Sequence, residues 1–286
     1  MRIWFQKHTV AGRNPWLDQS YLRHAEWLGA LGAQVDFHTL PEQTYQTKIP
    51  ADHVRFGQLE VLFSWYFADQ AVTAERAGYD AYVIGTSQDP GLAAARSLVS
   101  IPVVGYGQVA TDFLRTQRLR FGVLGFVPAL EEILRENIAD YGYGQGCVGF
   151  RYLPHGRMVV EAGAQPQAVA RLRAEMDRAA AELRELGAQI IVPGEGIPNE
   201  LLCGAGIREL GGLPFLDANA LVLSTAYLHA FTRAQGVWHR DVPGYHTGRA
   251  PVAEVDRLRA LFAPAVTSCP GASPKSCPTG EGETRI

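Results

Sequence analysis

The 286-residue chain is 47% hydrophobic and 19% charged, with a formal net charge of −3. This composition excludes a disordered chain. It also excludes a general nucleic-acid binder, which needs a basic excess to neutralise phosphates. No apolar run reaches membrane-spanning length, and the N-terminal MRIWFQKHTVAG reads as a strand without a signal peptide's regions, so the expectation is a cytoplasmic protein with no membrane partner.

Short apolar runs alternate with longer helical patterns, which is how βαβ units and parallel sheets read in sequence. The predicted strands are 2–6, 34–40, 81–86, 102–106, 120–126, 149–153, 189–195 and 213–217. The predicted helices are 16–32, 56–77, 91–99, 128–141, 165–186, 198–210, 218–235 and a last one near 251–262. In the helix that opens near 56, the aromatics Phe56, Phe63, Trp65, Tyr66 and Phe67 read as core or subunit interface, and a homo-oligomer is expected. Cys147, Cys203, Cys269 and Cys277 form no CxxC pair and no zinc-ligand spacing, and the Gly/Pro/Ser-rich segment 266–286 is expected to be a flexible tail.

The chain also resembles itself. AERAGYDAYVIGT (74–86) aligns with LRELGAQIIVPGE (183–195), superposing Gly78 on Gly187 and Gly85 on Gly194. Each copy reads helix, glycine stop, buried strand, glycine, then one polar residue, Thr86 or Glu195. Such a long repeat means duplicated lobes and not a solenoid. The expected fold is therefore α/β: two similar lobes related by a pseudo-two-fold axis, each a parallel sheet flanked by helices, with the active site in the cleft between them. The expected boundaries are 1–112 plus 225–265 for the first lobe and 113–224 for the second. Ligands of open parallel sheets bind beyond the carboxyl ends of the strands, which would bring Thr86 and Glu195 to opposite sides of one cleft.

TSQDPGLAAARSLVSIPVVGYGQVA (86–110), IIVPGEGIPNELL (190–202) and, more loosely, FLDANALVLSTAYLHA (215–230) together resemble the aspartate/glutamate/hydantoin racemase superfamily, with the hydantoin racemase branch nearest. The resemblance implies two cysteines facing each other across the substrate, one removing the proton α to a carbonyl and the other delivering one to the opposite face. It implies no metal, pyridoxal phosphate or nicotinamide. The two cysteine positions fall on Thr86 and Glu195, and Cys203 in CGAG reads as a packing residue past the strand end.

The replacement matters because an unactivated hydroxyl cannot act as a base near neutral pH, whereas a carboxylate in a buried cleft can. Glu195 is thus the expected acid/base, Thr86 an orienting or oxyanion-stabilising group, and His8 the candidate second base. Lys7, Thr9, Ser87, Gln88, Gly194, Gly196, Tyr245 and His246 are the expected substrate-binding residues. Asp89 reads as a cap for the helix opening near Pro90, and Phe126 as an apolar wall where relatives often carry threonine. His239, Asp241 and His246 lie close in sequence, but nothing in their spacing is specific for a metal. The expected function is cofactor-independent proton transfer on a small carboxylate, amino-acid derivative or cyclic amide. The alternatives are a hydrolase or decarboxylase on the same scaffold, or a non-catalytic small-molecule binding protein.

Overall fold

Nine residues, Arg2–Val10, form the first strand, β1, and all but the first are buried. Side chains alternate across a strand, and here both faces are covered: Ile3 and Phe5 pack into one core, Trp4 into another. The computed structural model describes residues 1–45, 50–153, 165–238, 243–245 and 247–267. Contacts divide it into two compact units, Met1–Gly248 and Arg249–Ile286.

Within the first unit, β1 lies between β2 (Gln34–Leu40) and β3 (Ala81–Gly85), and β4 (Val103–Gly105) extends the sheet beyond β3; all pairings are parallel. Helices α1 (Pro15–Gly29), α2 (Ala51–Val54), α3 (Gly57–Arg76), α4 (Leu92–Leu98) and α5 (Tyr106–Gln117) connect and cover these strands. A second parallel sheet has β5 (Phe121–Gly125) between β6 (Cys147–Tyr152) and β7 (Ile190–Pro193), repeating the central order of the first. Around it run α6 (Glu131–Asp140), α7 (Pro166–Glu185) and α8 (Gly196–Gly204), while α9 (Ala218–Ala234) buries Val222, Leu223 and Ala226 against the first sheet's Ile3, Phe5 and Val83. The second unit contains α10 (Val252–Thr267), with a local Arg257–Glu254 ion pair. None of the described helices is long and apolar enough to cross a membrane.

The internal repeat is visible in backbone angles. Gly78 ends the helix before β3 at φ +76° and Gly187 ends the helix before β7 at φ +94°, left-handed positions that favour glycine. The two copies then diverge. Val103–Gly105 pairs with β3 over three positions, but beside β7 the strand expected over 213–217 makes a single parallel bridge, Phe215 to Ile191. Leu213–Pro214 turns back instead to pair antiparallel with Glu209–Leu210. Pro214 has no N–H to give a longer ladder.

Two further expectations are corrected. Residues 106–117, assigned no helix above, form α5, and Tyr106 opens it instead of closing the strand. The helix expected over 198–210 spans Gly196–Gly204. The aromatic stripe divides: Phe67, with Phe63 and Tyr66 beside it, joins the core, while Phe56 and Trp65 are exposed. The tail from 268 onward, with Cys269 and Cys277, lies outside the described residues.

Candidate functional site

Beyond the ends of β1, β3, β5 and β7 lies a cavity of about 420 Å³. Its wall includes His8 and Thr9 from β1, Thr86 and Gln88 after β3, Phe126 to Leu130 after β5, and Glu195 to Pro198 at the start of α8. Thr86 and Glu195 therefore share one chamber. The glycine before Thr86 lets the end of β3 lie close against β1: a Cβ on Gly85 would sit 2.1 Å from the Phe5 ring and 2.9 Å from the Gln6 carbonyl oxygen.

Glu195 is half-buried and faces the cavity. The Phe126 N–H donates to both carboxylate oxygens, at 3.0 and 3.1 Å, and the Val127 N–H donates to Oε1 at 3.0 Å. Crowding by protein disfavours its charge and lifts its pKa to about 7; the two backbone donors pull it back only in part. A carboxyl near 7 is populated in both protonation states at neutral pH, which suits a general acid/base.

The other predicted residues separate into groups. Thr86 is buried and its Oγ1 donates to Gln88 Oε1 at 2.6 Å, so its own proton is already engaged. Thr9 is 8% exposed and its Oγ1 has no partner, although it sits on the cavity wall. His8 packs against Phe63 and Phe67, with its Nδ1 hydrogen-bonded to the Tyr45 hydroxyl. Burial lowers its pKa to about 4, so it is a neutral imidazole at pH 7 and a weak base.

Lys7 does not face the cavity. Its Nζ donates to Asp18 at 2.5 Å, and Asp18 also accepts from the Gly12 N–H. Ser87 and Gly194 border a smaller neighbouring void of about 40 Å³. Gly196 lines the large cavity, Tyr245 is 94% exposed away from it, and His239, Asp241 and His246 lie outside the described residues. Cys203 is a packing residue in the second sheet's core, its thiol pushed up to about 12 by burial.

Asp89 caps a different helix from the one expected. Its carboxylate accepts the Gly107 and Gln108 N–H groups, the open amides of α5, and also the Tyr141 hydroxyl. Asn137 of α6 donates to the Gln88 carbonyl, so α6 grips the turn that carries Thr86. Sequence reasoning missed Tyr21, Asp52, Val54 and Arg55, which complete the wall. Their signal was weak because α1 and α2 carry no recognisable motif.

His24, Glu200 and Asp217 place donor atoms within 4.8 Å of one another, as a metal site would. Arg23, however, bridges Glu200 at 3.2 Å and Asp217 at 3.3 Å, so a guanidinium already supplies the positive charge. These residues fit an ion-pair network better than a metal site.

Residues 32–197 match the model of the Asp/Glu/Hydantoin racemase family, and the chain belongs to that family. Among its relatives is the hydantoin racemase of Rhizobium meliloti, 34% identical over 145 residues, which cover 50% of this chain and 57% of that protein. The chain thus spans about half the length of the curated relatives it matches. Its fold is that of the allantoin racemases from Klebsiella pneumoniae (TM-score 0.61, 21% identity, covering 82% of this chain and 89% of that one) and Pseudomonas fluorescens (TM-score 0.62, 17% identity, covering 88% and 98%).

Proposed function

We propose that the protein catalyses proton transfer at a carbon α to a carbonyl, in a neutral cyclic amide such as a 5-substituted hydantoin, with Glu195 as the acid/base and racemisation as the outcome. The observation that carries this is the Glu195 carboxyl, poised near 7 on the wall of the shared chamber. Names of the relatives, hydantoin and allantoin racemases, supply the substrate class.

The chemistry of the wall supports a neutral substrate over a dicarboxylate. Lys7, the cation expected to hold a carboxylate, is neutralised by Asp18, and His8 is uncharged. Arg55 lies exposed, its guanidinium over the Phe56 ring. Burying an unpaired anionic group without a cation is costly, whereas a ring amide asks only for hydrogen bonds. Thr86, with its proton given to Gln88, offers oxygen lone pairs to a substrate N–H. The unpartnered Thr9 hydroxyl is suited to a substrate carbonyl. Val54, Phe126, Val127, Leu130 and Ile197 would enclose an apolar substituent.

Glu195 would take the α-proton as carboxylate and become the carboxylic acid; inversion would follow when the planar enolate turns over in the chamber before Glu195 returns the proton, or when water delivers one to the opposite face. The test is polarimetry of L-5-benzylhydantoin, with carbon dioxide and ring-opened product followed in parallel. Loss of rotation at constant mass is the expected result. Ring opening would make the protein a hydrolase, and decarboxylation of an aryl malonate in its place would make it a lyase.

A further inference from the structure

The cavity wall contains a phenol that none of these steps uses. Tyr21 sits on the second turn of α1, on the face that also buries Leu17, His24 and Leu28, and is 2% exposed. Its ring is wedged against Phe5 and Phe37, with centroids 5.5 and 5.2 Å away, and the Lys7 ammonium lies 5.1 Å from its centre. A Cβ placed on Gly196 would lie 3.4 Å from the Tyr21 hydroxyl and 3.7 Å from the Gly85 carbonyl oxygen. The phenol oxygen thus stands at the seam between the end of β3 and the start of α8, beside the backbone neighbours of both Thr86 and Glu195. With glycine at 196, no side chain there covers it.

Behind the hydroxyl runs a buried polar chain. Asn219, 0% exposed, faces the Tyr21 hydroxyl and donates to Glu200 Oε1 at 2.8 Å. Glu200, also 0% exposed, takes the His24 Nε2–H at 2.8 Å, the Ser20 hydroxyl at 2.7 Å and the Arg23 guanidinium at 3.2 Å. Fully buried carboxylates persist only when satisfied in this way. The chain joins α1, α8 and α9 and ends at the one hydroxyl of the group that reaches the cavity.

We propose that Tyr21 is a further catalytic residue, donating a hydrogen bond to the substrate's carbonyl oxygen as it becomes an enolate, and that Asn219, Glu200 and His24 are positioning residues that hold the phenol in place. The inference rests on the proton-transfer reading of the cavity. Burial, reinforced by the Glu200 charge, pushes the phenol well above its ordinary 10, so it keeps its proton and acts as donor and not as base. Donors aimed at developing oxyanions contribute about 100- to 1000-fold in kcat.

The experiment compares wild type, Tyr21→Phe, Asn219→Leu and Glu195→Gln. It measures solvent-deuterium exchange into L-5-benzylhydantoin, binding of the planar 5-benzylidenehydantoin, and thermal melting. Tyr21→Phe should lower kcat roughly 100-fold with KM nearly unchanged and weaken the planar probe about tenfold. Asn219→Leu should lower kcat by about tenfold without raising KM, a split that a merely structural role would not produce. Wild-type kcat in either variant, with Glu195→Gln inactive, would overturn the Tyr21 proposal and leave Glu195 standing. A wild-type protein that neither exchanges nor binds the two hydantoins would overturn both. If Tyr21→Phe melts early, the kcat-against-KM split of Asn219→Leu decides.

Discussion

The Glu195 carboxyl combines two opposing demands. Its backbone donors, Phe126 and Val127, stabilise the charged form, while crowding penalises it more and places the group near 7. The consequence for stability has a definite sign. A carboxyl whose folded pKa is raised carries no penalty below its unfolded value of 4.5; the penalty grows as pH rises and is complete above about 7. Glu195→Gln should therefore melt higher than wild type at pH 8 and lose most of that advantage at pH 5, as scanning calorimetry would report. An active residue that costs stability is a common trade. Glu200 runs the other way. Burial opposes its charge, but His24, Arg23 and Ser20 overcome that and hold it at about 2. Its contribution is present above 4.5 and disappears as pH falls toward 2.

Elements fix where these groups stand, and two substitutions test this. Gly85→Ala forces a methyl against the Phe5 ring and the fixed Gln6 carbonyl; overpacking of this kind costs about 1–3 kcal/mol, visible as a melting point several degrees lower. Asp89→Ala would strand the Gly107 and Gln108 amides and the Tyr141 hydroxyl, costing about 1–3 kcal/mol in denaturant unfolding. Because α6 and α5 hold the Thr86 turn through this carboxylate, activity should fall as well. Much of this framework was legible in sequence. Strand β2 and the helix stops Gly78 and Gly187 stood out because a short apolar run and left-handed glycines leave local marks. Helix α5 did not, although Tyr106, Val109, Ala110 and Leu114 carry helical spacing, because the preceding apolar run made Tyr106 look like strand. The long-range cap by Asp89 has no local mark at all, since its partners lie 18 and 19 residues away.

At the scale of the molecule, duplication explains why one chamber gathers residues from four strand ends. Two sheets with the same central order bring Thr86 and Glu195, paired in the internal repeat, into one chamber. That pairing was readable because repeated sequence implies repeated geometry. Lys7 was misjudged because its partner Asp18 lies on α1 and looks like any helix-start acid, and Tyr21 was missed because a helical tyrosine reads as core. Glu195 is the group proposed to move the proton. The most direct test of that role is the rate of deuterium uptake at C5 of L-5-benzylhydantoin from D₂O, measured from pH 5 to 8 for wild type and Glu195→Gln. The expected result is a wild-type kcat/KM that rises with a midpoint near 7, and no enzymatic uptake in the variant. A variant that exchanges as fast as wild type, or a wild-type profile flat across this range, would contradict it.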